Sequence, residues 1–239
     1  MPMANTYFQF KQFTIHQDQT AMKVCTDACI LGAWFAEKIP SYSTVLDIGS
    51  GSGLLMLMLA QKSKAKIFGI EMDLPSCKQS KENITGSRWS DRLKVFPGDA
   101  RTYSFTDKFD FIISNPPFFE GDLLSPVEER NIARHSTALT LEELVNIMDL
   151  NLDVAGSFGI LLPFHRTSYF ESLATKKNFF LKERLLVKQN KNHHFFRSIL
   201  HFSRKEEINP GSFELIIHTE TGHFSSEFIE LMRDYYLYL

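Results

Sequence analysis

The sequence predicts an α/β fold, doubly wound around a mostly parallel sheet of seven strands, with an antiparallel hairpin near its C-terminal end. Two observations carry that expectation. Short β-branched runs alternate with helical apolar patterns through the first two thirds of the chain, as they do in a parallel sheet with crossover helices. Glycines, acids and prolines collect just after those runs, where such a sheet opens its ligand crevice. Taking the elements in order, residues 7–16 alternate apolar and polar like an edge hairpin arm. Asp27 to Glu37 carries a helical apolar stripe, expected to cover the ligand side. Thr44-Val45-Leu46-Asp47-Ile48 reads as a buried strand that runs into Gly49-Ser50-Gly51-Ser52-Gly53 and then the apolar helix start Leu54 to Ala60. The next strand, Lys66 to Ile70, ends at Glu71, and Asp73 can cap a helix with Pro75 in its first turn that runs to about Gly86. Strands follow near 92–97 and 109–114. A helix begins at about Thr140, and the strand Ser157 to Leu162 is stopped by Pro163. Phe179 to Gln189 and Phe196 to Lys205 then read as two strands joined by residues 190–195, most simply a hairpin.

The 239 residues, 44% of them hydrophobic, suit one enzyme-sized domain. Its parts are an N-terminal arm and helix over about 1–40, a core over about 41–178 and a C-terminal hairpin and tail over about 179–239. The longest apolar run, Leu54 to Ala60, is far short of the ~20 residues of a membrane span. No basic start with an apolar core precedes it, so a monomeric cytoplasmic protein without a membrane partner is expected. Cys25, Cys29 and Cys77 are odd in number and lack paired zinc spacing, which argues for reduced structural thiols and no metal.

The chemistry is concentrated at Asn115-Pro116-Pro117-Phe118, after the apolar run Phe109 to Ser114. Neither proline has an N–H for a ladder, and each restricts the residue before it, so the strand stops in a rigid backbone with free carbonyls. An amide oxygen, a proline carbonyl and an aromatic ring can together accept two hydrogen bonds from an exocyclic amine and stack on its base. Alone, the tetrapeptide could also be only a turn after a strand, the lesser of the two readings. Upstream, however, Gly49, Gly51 and Gly53 let a ligand approach the backbone, and the helix N-terminus beyond them suits a carboxylate. A dinucleotide fits this turn poorly, because the third glycine comes one residue early and Leu54 takes its place. Asp47 would repel a pyrophosphate but pair with the ammonium of a methionine moiety. Glu71 lies at the ~20-residue spacing of an acid that grips a ribose diol. Asp99 suits an adenine amine, with the Ala100 N–H beside it. Three strand-end carboxylates of this kind suit S-adenosylmethionine.

With these residues the chain resembles the class I S-adenosylmethionine-dependent methyltransferases of the branch that modifies exocyclic amines. Phe10-Lys11-Gln12-Phe13, Ala21-Met22-Lys23-Val24 with Thr26-Asp27, Leu31-Gly32-Ala33-Trp34 and the tail Arg233-Asp234-Tyr235-Tyr236-Leu237 narrow the resemblance to the bacterial tRNA(1)(Val) adenine-N(6) methyltransferases. The resemblance implies a Rossmann-like fold, S-adenosylmethionine as cofactor and tRNA as partner. It implies methylation of the N(6) amine of an anticodon-loop adenosine of tRNA(Val). Lys23, Thr26, Met72 and Asn115 join the expected cofactor contacts. The same tetrapeptide also serves ribosomal RNA guanine-N(2) methyltransferases and, with another aromatic, release-factor glutamine methyltransferases, so these remain alternatives. A cofactor-binding RNA module without turnover is the alternative outside the class. The loop from Phe119 to Ala138 carries no motif.

The expected RNA contacts are Lys11 and, on the hairpin, Lys191, His193, His194 and Arg197. Residues 176–205 hold nine Lys or Arg and one acid, Glu183, against 17 and 27 in the rest of the chain. Such a concentration, with aromatics at the tip, suits a phosphate backbone and stacked bases, although a solvated face has the same composition. No Cys or acid stands at ligand spacing from His193 and His194, which argues against a metal there.

Overall fold

The computed structural model describes residues 5–20, 22–117 and 139–239. Its elements in chain order are β1 (Tyr7–Gln9), β2 (Thr14–His16), α1 (Thr26–Ala36), β3 (Thr44–Ile48), α2 (Leu54–Lys62), β4 (Lys66–Glu71) and α3 (Leu74–Thr85). They continue with β5 (Leu93–Pro97), β6 (Phe109–Ser114), α4 (Leu141–Asn151), β7 (Leu152–Pro163) and α5 (Thr167–Lys176). The last are β8 (Phe180–Lys188), β9 (Arg197–Ser203), β10 (Gly211–Ile216) and α6 (Ser226–Met232). Local chemistry sets several boundaries. Asp73 accepts from the Ser76 N–H (2.9 Å) to cap α3, whose second residue is Pro75. Thr140 and Glu143 form a reciprocal capping box at α4.

The main sheet has the order β10-β8-β9-β7-β6-β3-β4-β5, and every neighbouring pair is parallel except the two that β9 makes. The doubly wound expectation and the β8–β9 hairpin are therefore found, but the sheet has eight strands rather than seven. The additional strand, β10, lies at the edge with Ser212, Phe213 and Glu214 exposed. Its alternation at Phe213-Glu214-Leu215 is short and follows Asn209-Pro210-Gly211, so pairing with β8 is what establishes it as a strand. The N-terminal arm is the expected hairpin, but β1 and β2 pair antiparallel in a separate two-stranded sheet instead of at the edge of the main one. Phe10, stacked on Phe13 at 4.5 Å, bridges to Tyr236 in the tail, so the arm is packed against the C-terminus.

Strand alternation sends side chains to two cores. Val45, Ile67, Phe111 and Ile113 face α1, α2, α3 and α6, whereas Leu46, Ile48, Ile112, Phe158 and Ile160 face α4 and α5. Helix α1 is buried nearly all round rather than along one stripe, because it lies between the sheet, α2 and α6. Its body therefore serves the core instead of covering the ligand side. Gly159 makes that approach possible: an added Cβ would lie 2.3 Å from the Phe35 ring. Among the described residues no helix is long and apolar enough to cross a membrane, and the three cysteines are free. Burial pushes the Cys25 and Cys29 thiols up to about 12.

Candidate active site

The order of the sheet reverses between β3 and β6, since the chain goes from β3 outward to β4 and β5 and returns to the other side through β6 and β7. A crevice opens at the carboxyl ends of strands at such a switch point. Residues Ile48 and Ser114 stand opposite each other there, and the Ser114 hydroxyl donates to the Ile48 carbonyl (2.9 Å), clasping the two strand ends. By strand alternation Asp47 and Asn115 fall on the same side as Val45, Phe111 and Ile113, the side of α1 and α2. Beyond Ser114 the prolines end the ladder as expected, with Pro116 buried and Pro117 exposed. The Asn115 Nδ2 faces the Met22 sulfur at 3.9 Å, and its Oδ1 is buried with no hydrogen-bond partner among the described residues. A buried acceptor without a donor is costly, so the amide is open to a donor that the described residues do not supply. Phe118 and the loop to Ala138 lie outside the described residues.

Asp47 has the same character more strongly. It is completely buried, neither carboxylate oxygen has a partner among the described residues, and burial together with the nearby Glu71 charge pushes its pKa up to about 8. Desolvation penalises the ionised form unless a cation enters. A folded pKa raised from 3.8 means that between about pH 4 and pH 8 the unfolded chain binds fewer protons. Stability of the ligand-free protein should thus fall as pH rises through that window, at up to about 1.4 kcal/mol per pH unit. Denaturant titrations from pH 5 to 8 should show this slope in the wild type and its loss in Asp47→Asn. Equal slopes would mean that Asp47 finds a partner.

The other two acids are engaged. The Glu71 carboxylate accepts from the Gly51 N–H (2.8 Å) and the Asp73 N–H (2.8 Å), tying the end of β4 to the glycine turn. One lone pair on each oxygen remains. Asp99 is gripped by Arg101, whose Nε meets both oxygens (3.0 and 2.9 Å) and whose Nη2 meets Oδ2 (2.7 Å). That hydrogen bonding holds its carboxyl below the ordinary value. Ala100 is half-buried beside it and Met72 is 48% exposed at the mouth. Gly49, Gly51 and Gly53 have φ of +75°, +53° and +80°. At Gly51 an added Cβ would meet nothing within 4 Å, so the turn combines a left-handed backbone with open space beside it. Carboxylates at neighbouring strand ends beside a bare glycine turn suit an amino acid joined to a nucleoside.

A polar staple that no sequence signal announces closes one side. Asn83 of α3 donates to the Ser52 carbonyl in the glycine turn (2.9 Å) and to the His16 carbonyl (2.9 Å), and its Oδ1 accepts from the His16 N–H (2.9 Å). Gln79 accepts from the Gln19 N–H (3.2 Å), and buried Gln17 accepts from the Val24 N–H (2.8 Å). His16 and Gln19 are thereby tied to α3, and Val24 to Gln17, with Met22 against Asn115. Lys23 turns its ammonium to the Gln17 carbonyl, and Thr26 is exposed at the start of α1. Sequence reasoning missed Gln17, Gln79 and Asn83, because an amide in an arm and another on a helix become partners only on folding.

The basic hairpin is less concentrated in space than in sequence. β8 runs for nine residues, about 30 Å at 3.3 Å per residue. Lys176, Lys177, Lys182, Arg204 and Lys205 fall at one end, and only Lys188, Lys191 and Arg197 fall at the carboxyl edge near Asn115. Several of the cations are in ion pairs: Arg204 and Lys177 with Asp149, Arg184 with Glu171, Lys188 with Glu214. Arg197 donates to Asp27 Oδ2 (2.7 Å), pinning the start of α1 to β9. Lys11 meets the Arg233 carbonyl in the tail. Lys191, His193 and His194 are exposed in the turn, and no group of acids, His and Cys able to hold a metal occurs among the described residues.

Comparison with known proteins agrees with this geometry. Residues 30–143 match the Methyltransferase small domain family. The chain is 39% identical over 237 residues to the tRNA1(Val) (adenine(37)-N6)-methyltransferase of Dyadobacter fermentans, covering 98% of each chain. It is 39% identical to the protein of the same name from Bacteroides thetaiotaomicron, over 99% of this chain and 100% of that one. Among solved structures, a predicted O-methyltransferase of Agrobacterium tumefaciens superposes with a TM-score of 0.68 at 15% identity, covering 87% of this chain and 96% of the other, which is a likeness of fold.

Proposed function

Because the chain belongs to the family of tRNA1(Val) (adenine(37)-N6)-methyltransferases, we propose that it transfers a methyl group from S-adenosylmethionine to the exocyclic N(6) of an anticodon-loop adenosine of tRNA(Val). The observation that carries this reading is that the Asn115 Oδ1, just past the end of β6, and the Asp47 carboxylate on the paired strand β3 are both buried and without a partner among the described residues. One is an acceptor awaiting an amine, and the other is an anion awaiting a cation. We read all 239 residues as one catalytic domain, working in the cytoplasm where its substrate is found. Incubation of purified protein with isotope-labelled S-adenosylmethionine and tRNA, followed by nucleoside mass spectrometry, should yield N(6)-methyladenosine. Label in guanosine, or none at all, would overturn the reading.

The cofactor would lie with its ammonium toward Asp47, its carboxylate at the glycine turn and its ribose diol on the remaining lone pairs of Glu71. Lys23, Thr26 and Met72 line the mouth, with Asp99 and the Ala100 N–H at the adenine. When bound, S-adenosylmethionine supplies an electrophilic methyl group. The Asn115 Oδ1 and the Pro116 carbonyl would each accept one N–H of the target amine. This draws its nitrogen toward a pyramidal shape and frees a lone pair otherwise shared with the ring. Pro117 keeps that backbone rigid, and Phe118, assigned on its sequence position alone, stacks on the base. Holding the reactants in line supplies several kcal/mol of barrier reduction without any side chain ionising.

For the RNA, Lys191, His193 and His194 are the hairpin residues we assign to the backbone. Arg197 and Lys11 have intramolecular partners and shape this surface rather than meet phosphate alone. Lys191→Glu should raise the tRNA KM and lower the salt slope of binding by about 1. Lys182→Glu, the same reversal at the far end of the hairpin, should leave both near wild type. Equal effects from the two reversals would mean that only net charge matters.

A further inference from the structure

The carboxyl edge of β7 carries a feature that the catalytic pocket does not use. After Pro163 the chain makes a short 3-10 turn, Phe164–Arg166, whose first N–H donates to the Phe196 carbonyl (3.0 Å). This bond binds the turn to the hairpin loop. Phe164 is 39% exposed and touches Phe195, with ring centroids 5.5 Å apart and planes 46° apart. Lys188 Nζ lies 5.0 Å from the Phe195 ring, and the Arg166 guanidinium lies 4.8 Å from the ring of Tyr169, itself 40% exposed. Phe195 and Tyr169, each beside a cation, and Phe164 against Phe195 thus stand just past the carboxyl end of β7, the strand next to β6, which ends one residue before Asn115.

We propose that Phe164 and Phe195, with Tyr169 and Arg166 on the chain that follows, form a stacking platform for the unpaired bases that flank the target adenosine in a single-stranded RNA loop. The proposal rests on the methyltransferase reading given above. Scattered exposed apolar residues need no explanation, but these rings are paired and accompanied by cations at the edge where the substrate enters. Bases stack on such rings whatever their identity, and lysine and arginine beside the rings meet the phosphates between them. The 3-10 turn after β7 and the hairpin loop then grip the RNA loop together while the target base leaves it, a joint role served by the bond between the Phe164 N–H and the Phe196 carbonyl.

Stacking and charge respond differently to salt, and the test uses that difference. The probe is a synthetic anticodon stem-loop of tRNA(Val), with binding followed by fluorescence anisotropy at several salt concentrations and methylation followed in parallel. Phe164→Ala and Phe195→Ala should each weaken binding about tenfold by the same factor at every salt concentration. The Kd for S-adenosylmethionine should stay at its wild-type value. Phe164→Tyr and Phe195→Tyr, which keep a ring, should bind like wild type. If both alanine variants bind RNA like wild type, or if their loss disappears as salt rises, the platform is overturned while the methyltransferase reading stands. If the wild-type enzyme neither binds nor methylates the stem-loop, the functional reading falls and the platform with it.

Discussion

Asn115→Ala is expected to lower kcat for tRNA methylation by about 10²–10³, the range seen when one positioned hydrogen-bonding group is removed from a transition-state site. The reason lies in where the amide is spent. Its Oδ1 has no partner among the described residues and its Nδ2 meets only the Met22 sulfur at 3.9 Å, so truncation removes little that holds the fold. The acceptor gains strength only as the target nitrogen becomes pyramidal, which places the loss in kcat rather than KM. Asn115→Gln keeps the amide but moves it by a methylene, and should fall nearly as far because positioning is what the residue contributes. Stopped assays at saturating tRNA, with thermal melts and calorimetric S-adenosylmethionine binding as controls, give the answer. A wild-type kcat in Asn115→Ala would sink the mechanism.

Glu71→Ala is expected to weaken S-adenosylmethionine binding by about 1.5–3 kcal/mol, or roughly 10- to 150-fold, the range for loss of hydrogen bonds to a charged group. Two effects contribute. The ribose loses its acceptor, and the Gly51 and Asp73 N–H groups lose theirs (both 2.8 Å), which loosens the glycine turn. A cofactor analogue without the 2′-hydroxyl separates them in a double-mutant cycle. It should bind the wild type more weakly than the parent compound, yet bind Glu71→Ala no more weakly than the parent does. If the hydroxyl matters as much in the variant as in the wild type, the ribose does not lie on Glu71.

The buried strands, the glycine turn after Asp47, the Asp73 cap and the stop at Asn115-Pro116-Pro117 are set by contacts within a few residues. Alternation, missing N–H groups and capping side chains act over that distance, so the chain alone specified them. It specified the carboxylates at strand ends for the same reason, since a parallel sheet brings every carboxyl end to one edge. Folding alone decided what depends on partners far apart in the chain. β10 exists as a strand because β8 offers it an edge, and the burial of α1 is decided by Gly159, more than a hundred residues away. Asn83 strapping the arm to the glycine turn is likewise a matter of packing. The basic segment shows the difference most plainly. Nine cations within thirty residues look like one patch, but extended strands carry them about 30 Å apart. Acids from other elements then pair with Arg197 and Arg204, because a charge near a low-dielectric core is stabilised by the nearest opposite charge wherever in the sequence it arises.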